Sequence, residues 1–206
     1  MLICGVDEAG RGPVLGPMVI CLASIEEGKR GKLIDLGVSD SKKLTPAKRE
    51  ELYPRIMELC ECRVRSISAA ELNDRMGRES LNLIEAREMG KLSDGIEGRF
   101  YIDLPEKDPS KFLRKAGLLG KDVIAEHKAD ARYPIVGAAS IIAKVTRDRE
   151  ICGLKEACGE IGSGYPSDEK TISALRDPAM RKKLEGHIRV RWGTMERILN
   201  PTLLDF

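Results

Sequence analysis

The stretch Leu2-Ile3-Cys4-Gly5-Val6-Asp7-Glu8-Ala9-Gly10-Arg11-Gly12-Pro13 decides the fold class. Its first half is an apolar run ending in acid, the pattern of a buried strand. Gly10-Arg11-Gly12-Pro13 then breaks the chain. Val14 to Ile25 resumes an apolar, partly β-branched run, which predicts a hairpin. Three more short runs follow. Cys62 to Ser68 alternates like a half-exposed strand, Arg99 to Asp103 again ends in acid before Pro105, and Asp122 to His127 is a fifth candidate. Thr45 reads as an N-cap with Pro46 at the first helical position and Leu52, Ile56 and Leu59 on one face. Ala69 to Leu92 and Pro134 to about Ala157 carry helical patterns, and shorter helical segments lie around Ile172 and Met180. Five strands mixed with helices, then a helical tail, make an α/β domain with a helical C-terminal region.

A chain of 206 residues suits one domain, or one domain plus a small appendage, and needs no disulfides to hold its core. Hydrophobic residues at 42% and charged residues at 33% exclude both a disordered chain and a membrane bundle. The start of the chain lacks the charged segment and long apolar stretch of a signal peptide. The expectation is a soluble, cytoplasmic protein. The six cysteines contain no C-x-x-C pair, and only His127 and His187 are available beside them, so free thiols are expected rather than a zinc site. A net charge of +2 advertises no nucleic acid. From Arg181 to Arg197, however, Arg181, Lys182, Lys183, Arg189, Arg191 and Arg197 face only Glu185 and Glu196. Such a stretch suits a polyanionic partner, or simply a solvated helix face.

The acids are the informative residues. Asp7 ends the first strand, Asp103 ends the fourth, and Asp130 follows the fifth. Neighbouring strands would bring these ends together, and carboxylates that close repel unless a cation neutralises them. Oxygen donors without His or Cys favour a hard ion, Mg²⁺ or Mn²⁺. Glu8 joins only if the strand bends at Ala9-Gly10, since adjacent strand residues face opposite ways. The alternative is a set of solvated strand-end acids. Gly10-Arg11-Gly12 likewise reads either as a phosphate loop or as a plain turn; it is no dinucleotide fingerprint, because Pro13 leads into a strand.

Asp7-Glu8-Ala9-Gly10-Arg11-Gly12 with Gly16-Pro17, then Asp40-Ser41-Lys42-Lys43-Leu44, resembles ribonuclease HII. So do Asp103, Glu126-His127-Lys128-Ala129-Asp130, Ala138 to Val145, and Gly162-Ser163-Gly164-Tyr165-Pro166, in family order. The archaeal branch is the better match. Ribonuclease HIII, which usually carries an extra N-terminal domain, fits less well. A DNA junction resolvase of the same fold would share the acids but not Gly10-Arg11-Gly12 with Tyr165. A non-enzymatic nucleic-acid-binding module would have no use for converging carboxylates. One departure is Leu104, where relatives often have Ser.

The resemblance implies an RNase H-like fold, a five-stranded mixed sheet with flanking helices, with a catalytic domain over 1–150 and a helical region over 151–206. It implies hydrolysis of the RNA strand of RNA–DNA hybrids and cleavage 5′ of single ribonucleotides embedded in DNA. The products would be 5′-phosphate and 3′-hydroxyl ends, as ribonucleotide excision and RNA primer removal require. Asp7, Glu8, Asp103 and Asp130 would bind two Mg²⁺ or Mn²⁺ ions about 4 Å apart. Asp7 would bridge both, Asp130 would serve the ion at the attacking water, and Glu8 with Asp103 the ion near the leaving 3′-oxygen. Gly10, Arg11 and Gly12 would recognise the 2′-hydroxyl, and Tyr165 would stack on the deoxyribose after the ribonucleotide. Lys42, Lys43, Asn82 and Ser140 are candidate phosphate contacts. His127 is expected to be structural. Asn200-Pro201-Thr202-Leu203-Leu204-Asp205-Phe206 resembles a sliding-clamp (PCNA-like) motif anchored by Leu203 and Phe206; the alternative is a tail folded on its own domain. A monomer is expected.

Overall fold

Ile3, Cys4, Val6 and Ala9 are all buried, so the first strand cannot be an edge. In the computed structural model, which describes residues 1–38, 43–106 and 108–200, it is the middle of a sheet. The strands are β1 (Leu2–Ala9), β2 (Met18–Glu26), β3 (Glu61–Ile67), β4 (Arg99–Asp103) and β5 (Val123–Glu126). Their order is β3-β2-β1-β4-β5. β1 pairs antiparallel with β2, from Leu2↔Glu26 to Ala9↔Val19. It pairs in parallel with β4, and β4 in parallel with β5. The helices are α1 (Arg30–Leu36), α2 (Pro46–Leu59), α3 (Ala69–Arg75), α4 (Leu81–Leu92), α5 (Pro109–Ala116), α6 (Ala129–Arg132), α7 (Pro134–Cys158), α8 (Glu169–Arg176), α9 (Pro178–Lys183) and α10 (Gly193–Leu199). This is the α/β architecture that the resemblance implied.

Local chemistry explains several boundaries. Thr45 Oγ1 accepts from the Lys48 N–H at 3.2 Å, capping α2 with Pro46 in its first turn. The helical pattern of Ala69–Leu92 is two helices, not one. Ser80 Oγ accepts from Leu83 N–H and starts α4 afresh after Gly77. The second strand begins at Met18 rather than Val14. Gly16 has φ +77° and Pro17 has no N–H to give a ladder, so Leu15 instead forms an isolated bridge with Ile188. The elements expected from the sequence did not include α1, α5, α6 or α10. α5 was legible, because Asp108 caps it, Pro109 opens it and Gly117 closes it in the left-handed region.

The chain divides into two compact units. The first comprises Met1–Ala9, Val19–Arg65 and Ser80–Thr146 and contains the sheet. Its core packs Val19, Cys21, Ala23, Ile135, Ala139 and Ile142. The second comprises Gly10–Met18, Ser66–Glu79 and Arg147–Phe206, with a core built on Val14, Leu15, Ile161, Leu175 and Leu184. Cys4, Cys21 and Cys60 are buried free thiols, whereas Cys152 is exposed. Among the described residues, no helix is long and apolar enough to cross a membrane.

Gly5 governs how α7 packs on the sheet. A Cβ there would lie 2.3 Å from the carbonyl carbon and oxygen of Ile135, backbone atoms that cannot step aside. Gly5→Ala is therefore expected to lower the unfolding free energy by about 3 kcal/mol, the upper range for overpacking. Urea denaturation at unchanged m checks this; a loss below 0.5 kcal/mol would contradict the close approach.

Candidate active site

Parallel pairing of β1, β4 and β5 ends the three strands side by side. Val6 pairs with Ile102, and Asp103 with Glu126. The chain then turns through Lys128, held at φ 61° in the left-handed region, and α6 returns Asp130 towards the strand ends. Such a conformation in a non-glycine residue is uncommon, and here it stands at the turn that places an acid. The result is one group. Ligating oxygens of Asp7, Asp103 and Asp130 all lie within 4.8 Å of one another. Asp103 Oδ1 accepts from the Ala129 N–H at 3.2 Å, which ties β4 to the start of α6.

Glu8 stands outside that group. β1 keeps its ladder through Glu8↔Ile20, and Glu8 contributes its backbone N–H to Asp7 Oδ1 at 2.8 Å. Burial pushes the Asp7 carboxyl up to about 6, and the charge of Asp103 adds to that. The Lys144 ammonium, the Ser140 hydroxyl and the Glu8 N–H oppose it. Ser140 and Lys144 are one turn apart on α7, and Lys144 Nζ donates to Ser140 Oγ. Ser140, a candidate phosphate contact, is thus committed to Asp7. Lys144 was passed over in the sequence, although it is a lone charge at the end of the apolar run Pro134–Ala143.

The other candidates fall differently. Asn82 Nδ2 donates to Glu106 Oε2 at 3.0 Å, and Lys115 Nζ grips the same carboxylate at 2.8 and 3.0 Å. A protein carboxylate therefore takes the contact expected for a phosphate. His127 is exposed, with Nδ1 2.9 Å from the Leu104 carbonyl oxygen. Leu104 itself is buried. Lys43 is exposed. Lys42 and the tail residues 201–206 lie outside the described residues.

The second unit gathers the remaining candidates. Gly10 is buried, Arg11 half-buried and Gly12 exposed. The Gly164 carbonyl accepts from the N–H groups of Val14 and Leu15 at 2.8 and 3.2 Å, joining the Gly10–Met18 segment to the Tyr165 loop. A Cβ on Gly12 would sit 3.7 Å from Tyr165 Cε1, so loop and ring are in near contact. Asp168 Oδ2 accepts from both the N–H and the hydroxyl of Ser163 at 2.7 Å, which fixes the base of the loop. Tyr165 is 40% exposed. In the basic stretch, Lys182, Lys183, Arg191 and Arg197 are exposed. Arg189 is not part of that surface: it is fully buried, and its Nε donates to the Gly16 carbonyl at 2.8 Å.

The ribonuclease HII family model matches residues 4–195. The chain belongs to the ribonuclease HII family. A ribonuclease HII of Methanococcus maripaludis is 46% identical over 208 residues, covering 96% of this chain and 87% of that protein. The structure of ribonuclease H2 from Pyrococcus horikoshii is 42% identical with a TM-score of 0.83, covering 97% of both chains. The ribonuclease HII solved in the PCNA:RNase HII complex from Archaeoglobus fulgidus is 39% identical with a TM-score of 0.88, covering 99% of this chain and all of that one. The RNase H fold and a ribonuclease H activity, hydrolysing RNA in RNA–DNA hybrids, follow from that membership.

The donor set fits a divalent cation, because the grouped donors are carboxylates alone, Asp7 and Asp130 buried and Asp103 half-buried, with the Lys144 ammonium acting on Asp7. A shift of Asp7 from 3.8 to about 6 opposes folding wherever the group is ionised. That opposition is fully present above pH 6 and gone below pH 3.8. Without divalent ions, Asp7→Asn should therefore raise stability at pH 8 by about 2–3 kcal/mol and leave it unchanged near pH 3.8. Mg²⁺ should raise the melting temperature of the wild type and not of the variant. Melting curves with EDTA and with Mg²⁺ check both.

Proposed function

We propose that this ribonuclease HII cuts on the 5′ side of single ribonucleotides embedded in duplex DNA, as well as within RNA–DNA hybrids, and serves ribonucleotide excision and primer removal. The convergence of Asp7, Asp103 and Asp130 carries the reading. Together with Glu8, whose carboxylate stands outside that group, these residues would hold two Mg²⁺ or Mn²⁺ ions. Ions held there lower the pKa of water and offset charge developing on the scissile phosphate. Ser140 and Lys144 favour the ionised form of the buried Asp7, and because bound ions would activate the water, no histidine base is required. Cleavage leaves a 5′-phosphate and a 3′-hydroxyl.

Gly10, Arg11 and Gly12 present backbone groups to the 2′-hydroxyl, the one chemical difference between RNA and DNA. Tyr165 stacks on the deoxyribose that follows. Lys42 and Lys43 contact phosphates, and the exposed bases of the 151–206 region, Lys182, Lys183, Arg191 and Arg197, hold more distant duplex. The enzyme works as a cytoplasmic monomer.

Asp103→Asn and Asp130→Asn should each reduce cleavage of a duplex with one ribonucleotide at least a hundredfold, with circular dichroism unchanged. Near wild-type turnover in saturating Mg²⁺ would refute the metal-site assignment. Tyr165→Ala should lower single-ribonucleotide cleavage about tenfold, consistent with ~1–3 kcal/mol for stacking on an aromatic ring, and affect an all-RNA hybrid less. Equal losses would end the junction-sensing role.

The tail Asn200–Phe206 docks on a sliding clamp through Leu203 and Phe206; the Archaeoglobus relative was solved as a complex with PCNA. Truncation after Leu199 should abolish binding to the cognate clamp in a pull-down and leave hybrid cleavage unchanged. Binding that survives truncation would remove the tail from the interface.

A further inference from the structure

Arg147 is 4% exposed, yet the acids that act on its charge, Asp148 and Glu150, are both exposed. Asp148 Oδ1 is 3.9 Å from its Nη1, on a half-exposed side chain. What surrounds it is the reading apparatus of the second unit. A Cβ on Gly10 would lie 2.5 Å from Arg147 Cδ, and one on Gly164 would lie 3.1 Å from its Nη2. Both glycines have φ +84°. The arginine therefore occupies a slot that exists because both flanking residues lack side chains. Its Nη2 donates to the Ser163 carbonyl at 3.1 Å, and its guanidinium carbon stands 5.2 Å from the centre of the Tyr165 ring.

A packing role alone does not account for this. Burial acts against the charge of Arg147, and Tyr165, Asp148 and Glu150 favour it; both acids are exposed, and a buried cation whose acids stand in solvent usually costs more than an apolar side chain of similar volume. The contacts that Arg147 does make converge on Tyr165. Cation–π contacts of partly desolvated guanidinium groups are worth about 1–2 kcal/mol, sufficient to favour one orientation of a 40% exposed ring.

We propose that Arg147 is a positioning residue that locks the Tyr165 ring against the Gly10–Gly12 loop, and so sets how well the enzyme recognises the RNA-to-DNA junction. The inference rests on the reading of Tyr165 as the junction sensor. Arg147 touches no substrate; it acts through the tyrosine.

The test is a double-mutant cycle on the full chain with Arg147→Met, Arg147→Lys, Tyr165→Ala and the Met/Ala double variant. kcat/KM is measured on a single-ribonucleotide duplex and on an all-RNA hybrid, together with melting temperatures. Arg147→Met should lower single-ribonucleotide cleavage about tenfold and hybrid cleavage less. Arg147→Lys should recover part of the loss, and in the Tyr165→Ala background Arg147→Met should add less than twofold. Full additivity with Tyr165→Ala, or equal loss on both substrates with a lowered melting temperature, would overturn the proposal. If Tyr165→Ala is itself unselective, the junction reading fails; non-additivity between the two positions still decides whether Arg147 sets the ring. If Arg147→Met does not fold, the same criteria apply to Arg147→Lys.

Discussion

Asp7, Asp103 and Asp130 hold carboxylate oxygens within 4.8 Å of one another in a place largely closed to water. For Asp7 such an arrangement opposes folding, since burial and the charge of Asp103 both disfavour its ionised form. The surrounding structure is organised to tolerate it. The Glu8 N–H and the Ser140 hydroxyl point at Asp7, the Ala129 N–H points at Asp103, and Lys144 supplies the nearby positive charge. A site strained in this way gains most from a divalent cation, which removes the repulsion and the burial penalty together.

That constraint explains features that otherwise look unrelated. β1 must be central, because only a strand with parallel neighbours on one side places successive strand ends at one level. α7 must lie close on β1 for Ser140 and Lys144 to reach Asp7, and the missing side chain of Gly5 permits it. The second unit solves a different problem by similar means. There, Gly10 and Gly164 leave room for a buried guanidinium, and Gly16 offers its carbonyl to Arg189. In each unit, absent side chains let charged groups sit where the backbone alone would exclude them.

Much of the architecture was legible along the chain. The acid-terminated runs Leu2–Asp7 and Arg99–Asp103 gave two central strands, and Thr45-Pro46 gave the start of a helix. Errors arose where local pattern was ambiguous. Val14–Pro17 is as apolar as the strand after it, because both are buried, and only the Gly16 conformation separates them. Ala69–Leu92 keeps a helical pattern through a break that Ser80 caps.

The sequence by itself singled out the residues proposed to carry the chemistry. Asp7, Asp103, Asp130, the Gly10–Gly12 loop and Tyr165 stand in ordered motifs, and acids at strand ends announce an oxygen-ligand site. The tertiary structure alone decided what each neighbour does. It committed Ser140 to Asp7, gave Asn82 to Glu106, withdrew Arg189 from the basic surface and enclosed Arg147 between two glycines. The physical reason is that a side chain's partners are set by close approach between segments far apart in sequence. The close approach at Gly5, where a Cβ would lie 2.3 Å from the Ile135 backbone, and the side-chain-free slot beside Gly10 are properties of packing, which no residue spacing encodes.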